Sequence, residues 1–272
     1  MSKHPSRHLL VAGCGDLGQR LAARLDDWST HGLRRNPQGL PSSIQPVQAD
    51  LGDRDSLRAV RRDWDAVVYT ATPGERTAEA YRSIYVDGLC ALLERVETRR
   101  LVLVSSTAVY GQKDGQWVDE SSPTHPEAFN GRILLEAEQL ARQAGACVLR
   151  FSGIYGPGRD YLIRKVRAGN VVCQRSPPVW TNRIHADDCA AALAHVLAME
   201  NPDPVYIASD AQPAPRREVL DWLATRLSAA PPHEPAQSAR GQGKRVSAAR
   251  LFSTGFTLQY PDYRAGYEAM LK

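Results

Sequence analysis

"HLLVAGCGDLGQRL", residues 8–21, decides the fold. A short apolar run precedes a glycine-rich turn, and the leucines after the turn recur at helical spacing. The pattern Gly13-x-Gly15-x-x-Gly18 between a strand and a helix is typical of a loop that binds the pyrophosphate of a dinucleotide. Gly13 permits a tight turn, Gly15 lets phosphate approach the backbone, and Gly18 lets the helix pack against the strand. A tight turn without a ligand is the alternative. The predicted cofactor contacts in this loop are Gly13, Gly15, Asp16, Leu17 and Gly18.

The rest of the chain alternates short apolar runs with helical patterns. Helical spacing covers residues 56–63, 77–97 and 131–144. Strands that are apolar on both faces and alternate with helices indicate a parallel sheet covered on both sides. The predicted fold class is therefore α/β, a Rossmann-like doubly wound parallel sheet with a small C-terminal substrate lobe. We expect residues 1–155 to form an NAD(P)-binding Rossmann core. Residues 156–272 are predicted to be a mixed region, with a last core strand and a small substrate-binding lobe.

The end of the second predicted strand indicates which dinucleotide is preferred. A carboxylate at this point would bind the ribose 2′-hydroxyl of NAD, but the strand ends in "GLRRNP". Arg34 and Arg35 can form charged, bidentate contacts with the 2′-phosphate of NADP. The sequence therefore favours NADP over NAD. A solvated basic turn remains the alternative.

Two later strand ends carry further candidate cofactor contacts. In "QADLGD", the Asp50 carboxylate is placed to accept a hydrogen bond from the adenine amino group, and Leu51 follows it. An aspartate at such a position is as often a helix cap. The small residues of "YTATP" would let the backbone lie against the ribose and phosphates, although a simple turn before Pro73 explains them nearly as well. The contacts predicted there are Thr70, Ala71 and Thr72.

The bulk composition excludes several function classes. The 272 residues carry a net charge of +4 from mixed basic and acidic side chains, too weak and dispersed for nucleic acid or an anionic membrane. The five cysteines are odd in number and lack metal-ligand spacing, so we expect free thiols and no metal site. No apolar run approaches the roughly 20 residues that span a bilayer. The first apolar run is too short for a signal peptide, so the expected location is cytoplasmic.

Several motifs carry a family resemblance. They are "GCGDLG" (13–18), "ADL" (49–51), "SSTAVYG" (105–111), "VDESSP" (118–123), "LRFSGIYGPGR" (149–159) and "NRIHADDCAAAL" (182–193). With these motifs the chain resembles the extended short-chain dehydrogenase/reductase family, especially its NAD(P)-dependent sugar-nucleotide epimerases and dehydratases. The resemblance spans nearly the whole chain. It implies an oxidoreductase that acts on a nucleotide-linked sugar or related small molecule, and a homodimer formed through helices on one sheet face.

The active-site helix departs from that family. Relatives begin this helix with a reactive tyrosine, and a lysine four residues later lowers the tyrosine pKa so that the phenol can exchange a proton with substrate. Aligning "NGRILLEAEQ" with the family pattern puts Asn130 at the tyrosine and Leu134 at the lysine. Neither side chain can act as a general acid or base. The hydroxyl that assists the tyrosine falls on Ser106, which is retained and is a predicted catalytic residue.

The resemblance assigns roles to other residues near the cleft. Tyr155 lies in "GIYGPG", a turn that resembles the one flanking the nicotinamide, so it is the candidate substitute proton donor. The alternative is that Tyr155 supports the Gly-Pro corner. Ser105 is assigned to the cofactor. Lys244 and Arg245 are placed to close over a phosphate, unless they simply precede a helix. The predicted substrate contacts are Thr107, Arg159, Asn182 and Arg183. The alternative for Thr107 is a strand-end hydroxyl that bonds the backbone, and for the other three it is a solvated surface.

Two functions follow from these observations. The first is an NAD(P)-dependent epimerase, dehydratase or reductase with a relocated acid/base, which Ser106 and the "IYGPGR" corner favour. The second is a catalytically silent NADP(H)-binding sensor, which Asn130 and Leu134 favour.

Overall fold

The computed structural model describes residues 7–237 and 242–272. Residues 1–6, part of the segment considered above for a signal peptide, lie outside the described residues. The strands are β1 (Arg7–Ala12), β2 (Trp28–Arg34), β3 (Ile44–Gln48), β4 (Asp63–Trp64), β5 (Ala66–Tyr69), β6 (Glu97–Thr98), β7 (Leu101–Ser106), β8 (Asp114–Val118), β9 (Cys147–Phe151), β10 (Gly153–Tyr155), β11 (Trp180–Thr181), β12 (Arg183–His185), β13 (Val205–Ala208), β14 (Ala214–Pro215) and β15 (Gly243–Val246).

The helices include one long segment in the middle of the chain and several short ones. They are α1 (Asp16–Ala22), α2 (Ala78–Arg82), α3 (Leu89–Arg95), α4 (Phe129–Gln143), α5 (Tyr161–Arg167), α6 (Ala186–Ala198), α7 (Arg216–Arg226), α8 (Ala249–Ser253) and α9 (Tyr263–Leu271). A π-helical segment, Ser83–Gly88, joins α2 to α3. Short 3₁₀ turns occupy Ser56–Ala59 and Thr107–Val109.

A seven-stranded parallel sheet forms the centre of the fold, in the order β13-β9-β7-β5-β1-β2-β3. Residues 9–12 of β1 and 66–69 of β5 are inaccessible to solvent, as expected for parallel strands covered on both faces. The strand order reverses between β1 and β5. In doubly wound sheets, ligands bind beyond the carboxyl ends of the strands at such a point. The predicted fold class is confirmed.

One predicted helix is wrong. The pattern over residues 56–63 forms only the 3₁₀ turn Ser56–Ala59, and the chain then becomes extended as β4. Trp64 is buried and its indole N–H donates to the carbonyl of Arg61 at 2.9 Å. Because β5 begins at Ala66, the chain must be extended within a few residues, which leaves no length for a helix. The patterns over 77–97 and 131–144 do form helices.

The chain divides into two compact units that interleave along the sequence. The first contains the described residues up to 109 together with 124–150 and 189–206. The second contains 110–123, 151–188 and the described residues from 207 onward. Among the described residues, none of the helices has the length and apolar character required to cross a membrane.

Candidate cofactor site and active-site helix

A cleft of about 860 Å³ lies within the first unit, beyond the carboxyl ends of β1, β2, β3 and β5. This is the place where the sheet topology leads us to expect a dinucleotide. Several predicted cofactor contacts line the cleft: Gly13, Gly15, Arg34, Arg35, Asp50, Leu51, Ala71 and Thr72.

The three glycines of the first loop differ in what a side chain at each position would meet. Gly13 has φ +81°, and a Cβ there would lie 2.3 Å from the Cα of Ala71. A Cβ at Gly18 would lie 2.7 Å from a methyl group of Val11, so helix and strand can approach only without it. Gly15 differs, because its Cβ would meet nothing closer than the Gly13 carbonyl oxygen at 3.8 Å. The protein itself therefore leaves open the space beside Gly15, which fits a cradle for phosphate.

The basic end of β2 lies at the cleft. Arg34 ends the strand and Arg35 follows it, exposed to solvent. In the described part of the chain, neither guanidinium group makes a hydrogen bond or an ion pair. Burial raises the pKa of the nearby Cys14 thiol to about 11, although the charge of Arg34 opposes this rise. The loop thiol therefore stays protonated, and the two arginines are available to an anion.

Asp50 lies on the cleft after the end of β3. One carboxylate oxygen accepts the Gly52 N–H at 2.9 Å, and the backbone N–H of Asp50 donates to Ser56 at 2.7 Å. These bonds fix the carboxylate as part of a turn. The second oxygen accepts no hydrogen bond from a described residue, so it is available to a donor such as an adenine amino group.

Five predicted cofactor contacts do not line the cleft: Asp16, Leu17, Gly18, Thr70 and Ser105. Asp16 pairs with Arg20 at 2.8 Å, and Leu17 and Gly18 are buried in α1. Thr70 donates to the Gly13 carbonyl at 2.9 Å, so it supports the loop from behind. Ser105 donates to a buried carboxylate described below. Contact of these residues with a cofactor stays a prediction.

Sequence reasoning missed the far wall of the cleft. It consists of the loop after Thr72 and the start of the π-helical segment, where Ser83 and Ile84 line the cleft. The Tyr69 hydroxyl, buried beneath, donates to the Ile84 carbonyl at 2.6 Å. A Cβ at Gly88 would lie 2.9 Å from the Leu51 carbonyl oxygen. This glycine within a helical pattern was a signal of close packing that could have indicated the wall. The other residues missed are Leu33, Asn36, Ala49, Gly52, Asp53, Pro73, Gly74, Glu75 and Ala80.

Helix α4 is a regular amphipathic helix in the first unit. Asn130 lies half-buried in its first turn, and its side chain makes no hydrogen bond to any described residue. Leu134 is buried, with 4 % of its surface exposed, as part of the packing face. Ser106 ends β7, and its hydroxyl oxygen accepts the Ala108 N–H at 3.2 Å. None of these three groups is positioned as a proton-transfer pair.

A buried ion pair holds α4 on the sheet. Glu138, of which 1 % is exposed, accepts hydrogen bonds from Arg150 at 2.6 Å and from Ser105 at 2.6 Å. Arg150 lies on β9 and Ser105 on β7, so one carboxylate joins the helix to two strands. Ser105 thus has a structural role here.

Comparison with known proteins agrees with this architecture. The model of the NAD-dependent epimerase/dehydratase family matches residues 9–208. The chain belongs to that family. A solved structure from Methylobacillus flagellatus, assigned to NAD-dependent epimerases/dehydratases without a stated substrate, is 38 % identical with a TM-score of 0.82, and the match covers 98 % of each chain.

Two named relatives are less similar in sequence. A 3-diazoavenalumate denitrifying reductase from a Streptomyces species is 28 % identical over 82 % of this chain and 83 % of its own length. A UDP-glucose 4-epimerase from Azospirillum brasilense is 28 % identical over 71 % of this chain and 68 % of its own length. The relatives of this chain therefore include a reductase and an epimerase.

The candidate proton donor Tyr155 lies in the second unit. It is buried, its ring contacts Tyr267 and His185, and its hydroxyl lies 3.4 Å from the Asp262 carbonyl oxygen. A Cβ at Gly266 would collide with the Tyr155 ring, so α9 packs directly on it. Burial raises the pKa of this phenol far above its usual range. These contacts favour the alternative stated above, a structural support for the Gly-Pro corner.

The predicted substrate contacts have different local environments. Arg183 is buried, donates to the Thr181 hydroxyl, and lies over the ring of Tyr263. Asn182 bonds to the backbone of β15, Arg159 is exposed in a turn, and Thr107 is buried in the 3₁₀ turn after β7. Their contact with substrate stays a prediction. The described residues contain no group of three or more His, Cys, Asp or Glu side chains arranged to hold a metal ion.

Proposed function

We propose that this chain is an NADP(H)-dependent oxidoreductase of the epimerase/dehydratase type, acting on a nucleotide-linked sugar or a related small molecule. One observation carries the cofactor part of the proposal. The cleft of the first unit combines open space beside Gly15 with two cations at the end of β2, Arg34 and Arg35, that pair with no described residue. A dinucleotide with an additional phosphate on its adenosine ribose has the charge and length that such a cleft accepts.

The residues of the cleft can each take a defined part in binding. The backbone after β1 would hold the pyrophosphate, Arg34 and Arg35 the 2′-phosphate, and Asp50 the adenine amino group. When bound, the nicotinamide supplies or accepts a hydride. NAD would bind in the same cradle but lacks the 2′-phosphate that the arginines would contact. A comparison of the two cofactors therefore tests the preference for NADP directly.

The substrate class rests on the family and on the retained hydroxyl of Ser106. The relatives named above include an epimerase of a nucleotide sugar and a reductase. Inverting a hydroxyl-bearing sugar carbon with a nicotinamide cofactor requires a hydride to leave and return to a carbon that bears oxygen. We therefore expect a substrate with a carbonyl or secondary hydroxyl group, and the Ser106 hydroxyl is the candidate partner of that oxygen.

A second function is favoured by α4. The positions that the sequence resemblance assigns to the family's tyrosine and lysine hold Asn130 and Leu134, and one of them is packed in the core. A protein that binds NADP(H) without turning over any substrate would keep the cleft and lose this pair. Such a protein would report the NADPH/NADP ratio to a partner.

The cofactor proposal is tested by fluorescence titration with NADPH and NADH. Contacts between a charged side chain and phosphate contribute about 1.5–3 kcal/mol, so the wild-type protein should prefer NADPH by about 10- to 100-fold. Arg34→Ala with Arg35→Ala should remove the preference and leave NADH affinity unchanged. The matched control is Arg24→Ala with Arg99→Ala, since both arginines are exposed and lie outside the cleft. A preference that persists in the cleft variant contradicts the assignment of the arginines.

The two functions are separated by a turnover assay. Purified protein is incubated with NADPH or NADP and a panel of nucleotide sugars and simple carbonyl compounds, while absorbance at the nicotinamide band and sugar stereochemistry are followed. Turnover of any compound supports the oxidoreductase. Tight cofactor binding with no turnover across the panel supports the sensor.

A further inference from the structure

The far wall of the cleft in the first unit contains a rare kind of backbone. Residues Ser83–Gly88 form a π-helical segment between α2 and α3, in which backbone hydrogen bonds span five residues in place of four. Segments of this kind are uncommon and often lie at functional sites. The first two residues of the segment, Ser83 and Ile84, line the cleft. The change of helical register therefore occurs at the surface that a dinucleotide would contact.

A side chain from the central sheet donates to this segment. Tyr69 ends β5, and its hydroxyl donates to the Ile84 carbonyl oxygen at 2.6 Å. The residue is inaccessible to solvent, and burial raises the pKa of its phenol far above its usual range, to which the neighbouring Tyr85 and Cys90 add. The hydroxyl therefore keeps its proton and acts as a donor. A side chain that bonds into the backbone ladder of a helix is one of the causes that change its regular path.

The next residue in the chain holds the other side of the cleft. Thr70 donates to the Gly13 carbonyl oxygen at 2.9 Å, which fixes the glycine loop after β1. Tyr69 and Thr70 are adjacent, so one short piece of chain at the end of β5 is bonded both to the far wall and to the loop. The end of β5 therefore sets the separation of the two surfaces between which a dinucleotide would lie.

Two glycines let the far wall rest on the turn that carries Asp50. A Cβ at Gly88 would lie 2.9 Å from the Leu51 carbonyl oxygen, so the end of the π-helical segment touches this turn. A Cβ at Gly52 would lie 3.4 Å from the Ser83 hydroxyl oxygen and 3.5 Å from a carboxylate oxygen of Asp50. The Ser83 hydroxyl and the Asp50 carboxylate thus flank the same glycine. The position of the far wall is therefore linked to the predicted adenine contact.

We propose that Tyr69 is a positioning residue for the cofactor, because its hydroxyl holds the π-helical segment in the register that presents Ser83 and Ile84 to the adenosine half of the dinucleotide. The inference rests on the NADP(H) binding proposed above. Tyr69 is buried beneath the cleft and acts through the Ile84 carbonyl group. Without the hydroxyl, the segment can return to α-helical hydrogen bonding, which changes how Ser83 and Ile84 face the turn at Asp50.

The decisive comparison uses two tyrosines of the same region. Tyr69→Phe removes the hydroxyl and keeps the ring that fills the core. Calorimetric titration should show Kd values for NADPH and for 2′,5′-ADP, which carries the adenosine half alone, raised by about 5- to 10-fold, the range of one neutral hydrogen bond. Tyr85→Phe is the control, since it removes a buried hydroxyl of the same segment that bonds no described residue. Both Kd values of the control should stay within about twofold of wild type.

Hydrogen exchange adds a readout that needs no ligand. In Tyr69→Phe the backbone amides of residues 83–88 should exchange about 10-fold faster than in wild type or in Tyr85→Phe, because the segment opens more readily without its bond to the sheet.

A second substitution moves the far wall from the opposite side. The methyl group of Gly88→Ala would have to displace the Leu51 carbonyl oxygen while the Tyr69 hydroxyl remains in place. This variant should also raise the Kd for NADPH. If both substitutions act through the position of the wall, the double variant should lose less affinity than the product of the two separate losses.

The outcomes separate the inference from the proposed function. If wild-type protein binds neither NADPH nor NADH, the cofactor proposal fails and this inference fails with it. If wild type binds NADPH and Tyr69→Phe keeps that affinity, the cofactor proposal stands and the role of Tyr69 is wrong. Faster exchange with unchanged affinity would show that Tyr69 only stabilises the helix. Equal losses of affinity in Tyr69→Phe and Tyr85→Phe would also overturn the role of the hydroxyl.

Discussion

The loop after β1 and helix α4 belong to the same unit, yet only the loop has the residues that the family pattern predicts. The loop has all three glycines, and each has a geometry that fits its part in a dinucleotide cradle. The helix keeps its buried face and its ion pair with β9, but presents Asn130 and Leu134 where relatives are expected to have a tyrosine and a lysine.

The difference follows from what each region depends on. A phosphate cradle is built from backbone N–H groups and from the absence of side chains, so most of the neighbouring sequence can vary around it. A proton-transfer pair depends on two side-chain groups, and one substitution removes it while the helix remains intact. Binding and chemistry can therefore be changed separately in one fold. Substitutions in each region test this separation.

The largest effect is expected from restoring the pair. Asn130→Tyr with Leu134→Lys places a phenol and an ammonium group one helical turn apart, where the lysine lowers the phenol pKa. We expect turnover of a compound accepted by wild type to rise by about 10²–10⁴-fold, because this is the usual contribution of a positioned acid/base. The measurement is the steady-state rate with NADPH.

A matched variant isolates the hydroxyl group. Asn130→Phe with Leu134→Lys has the same bulk and the same lysine but no phenol, so it should stay at the wild-type rate. Equal rates in the two variants would show that a phenol at position 130 does not take part in the reaction. The difference between the loop after β1 and helix α4 would then need another explanation.

The second effect concerns the stability of α4. Glu138→Ala leaves the Arg150 guanidinium buried without its carboxylate, which should lower the free energy of unfolding by about 3–5 kcal/mol in urea titrations. Replacing both residues with methionine should cost less, because no unpaired charge remains. Glu136→Ala, which removes the exposed pair with Arg82 on the same helix, is the control and should cause a change too small to resolve. A similar loss in both alanine variants would contradict the role of the buried pair.

The sequence predicted the parts that depend on local pattern. The glycine loop, the alternation that gives the sheet, and the arginines at the end of β2 could all be read from adjacent residues. The 3₁₀ turn at Ser56–Ala59 could not, because the extended path to β5 overrides helical spacing. The roles of Ser105 and Asn182 were also hidden, since Glu138 and β15 are distant in the chain and only folding brings them together.

The third effect separates the two glycines that open the loop. Gly15→Ala meets no protein atom within 3.8 Å and has φ −85°, which any residue adopts, so thermal stability should be unchanged. Its methyl group would occupy the space assigned to pyrophosphate, and the Kd for NADPH should rise by about 10- to 100-fold, a cost of about 1.4–2.7 kcal/mol. Gly13→Ala, in contrast, should destabilise the fold because its methyl group collides with Ala71. Wild-type affinity in Gly15→Ala would remove the argument for the cradle.

The smallest effect extends the comparison to a second buried acid. Glu138 is fully hydrogen-bonded, whereas in the part of the chain that the structure describes Asp210, with 1 % of its side chain exposed, has at most a weak backbone contact from Gln212. Burial raises the pKa of Asp210 from 3.8 to about 7. Arg183 and the backbone N–H of Gln212 oppose the rise, and Asp262 and Asp188 add to it. At a pH between these two pKa values, the Asp210 carboxyl group is protonated in the folded protein and ionised in the unfolded chain.

Stability should therefore fall as pH rises from about 4 to about 7, by at most about 1.4 kcal/mol per pH unit from this group, and level off above that range. The Asp210→Asn variant has no carboxyl proton to lose. Its free energy of unfolding should therefore rise relative to that of wild type as the pH increases through this range. Urea titrations of both proteins at pH 5 and pH 8 measure the difference. If the difference between variant and wild type is the same at both pH values, Asp210 is ionised in the folded state, and Arg183 compensates its charge as fully as Arg150 compensates that of Glu138.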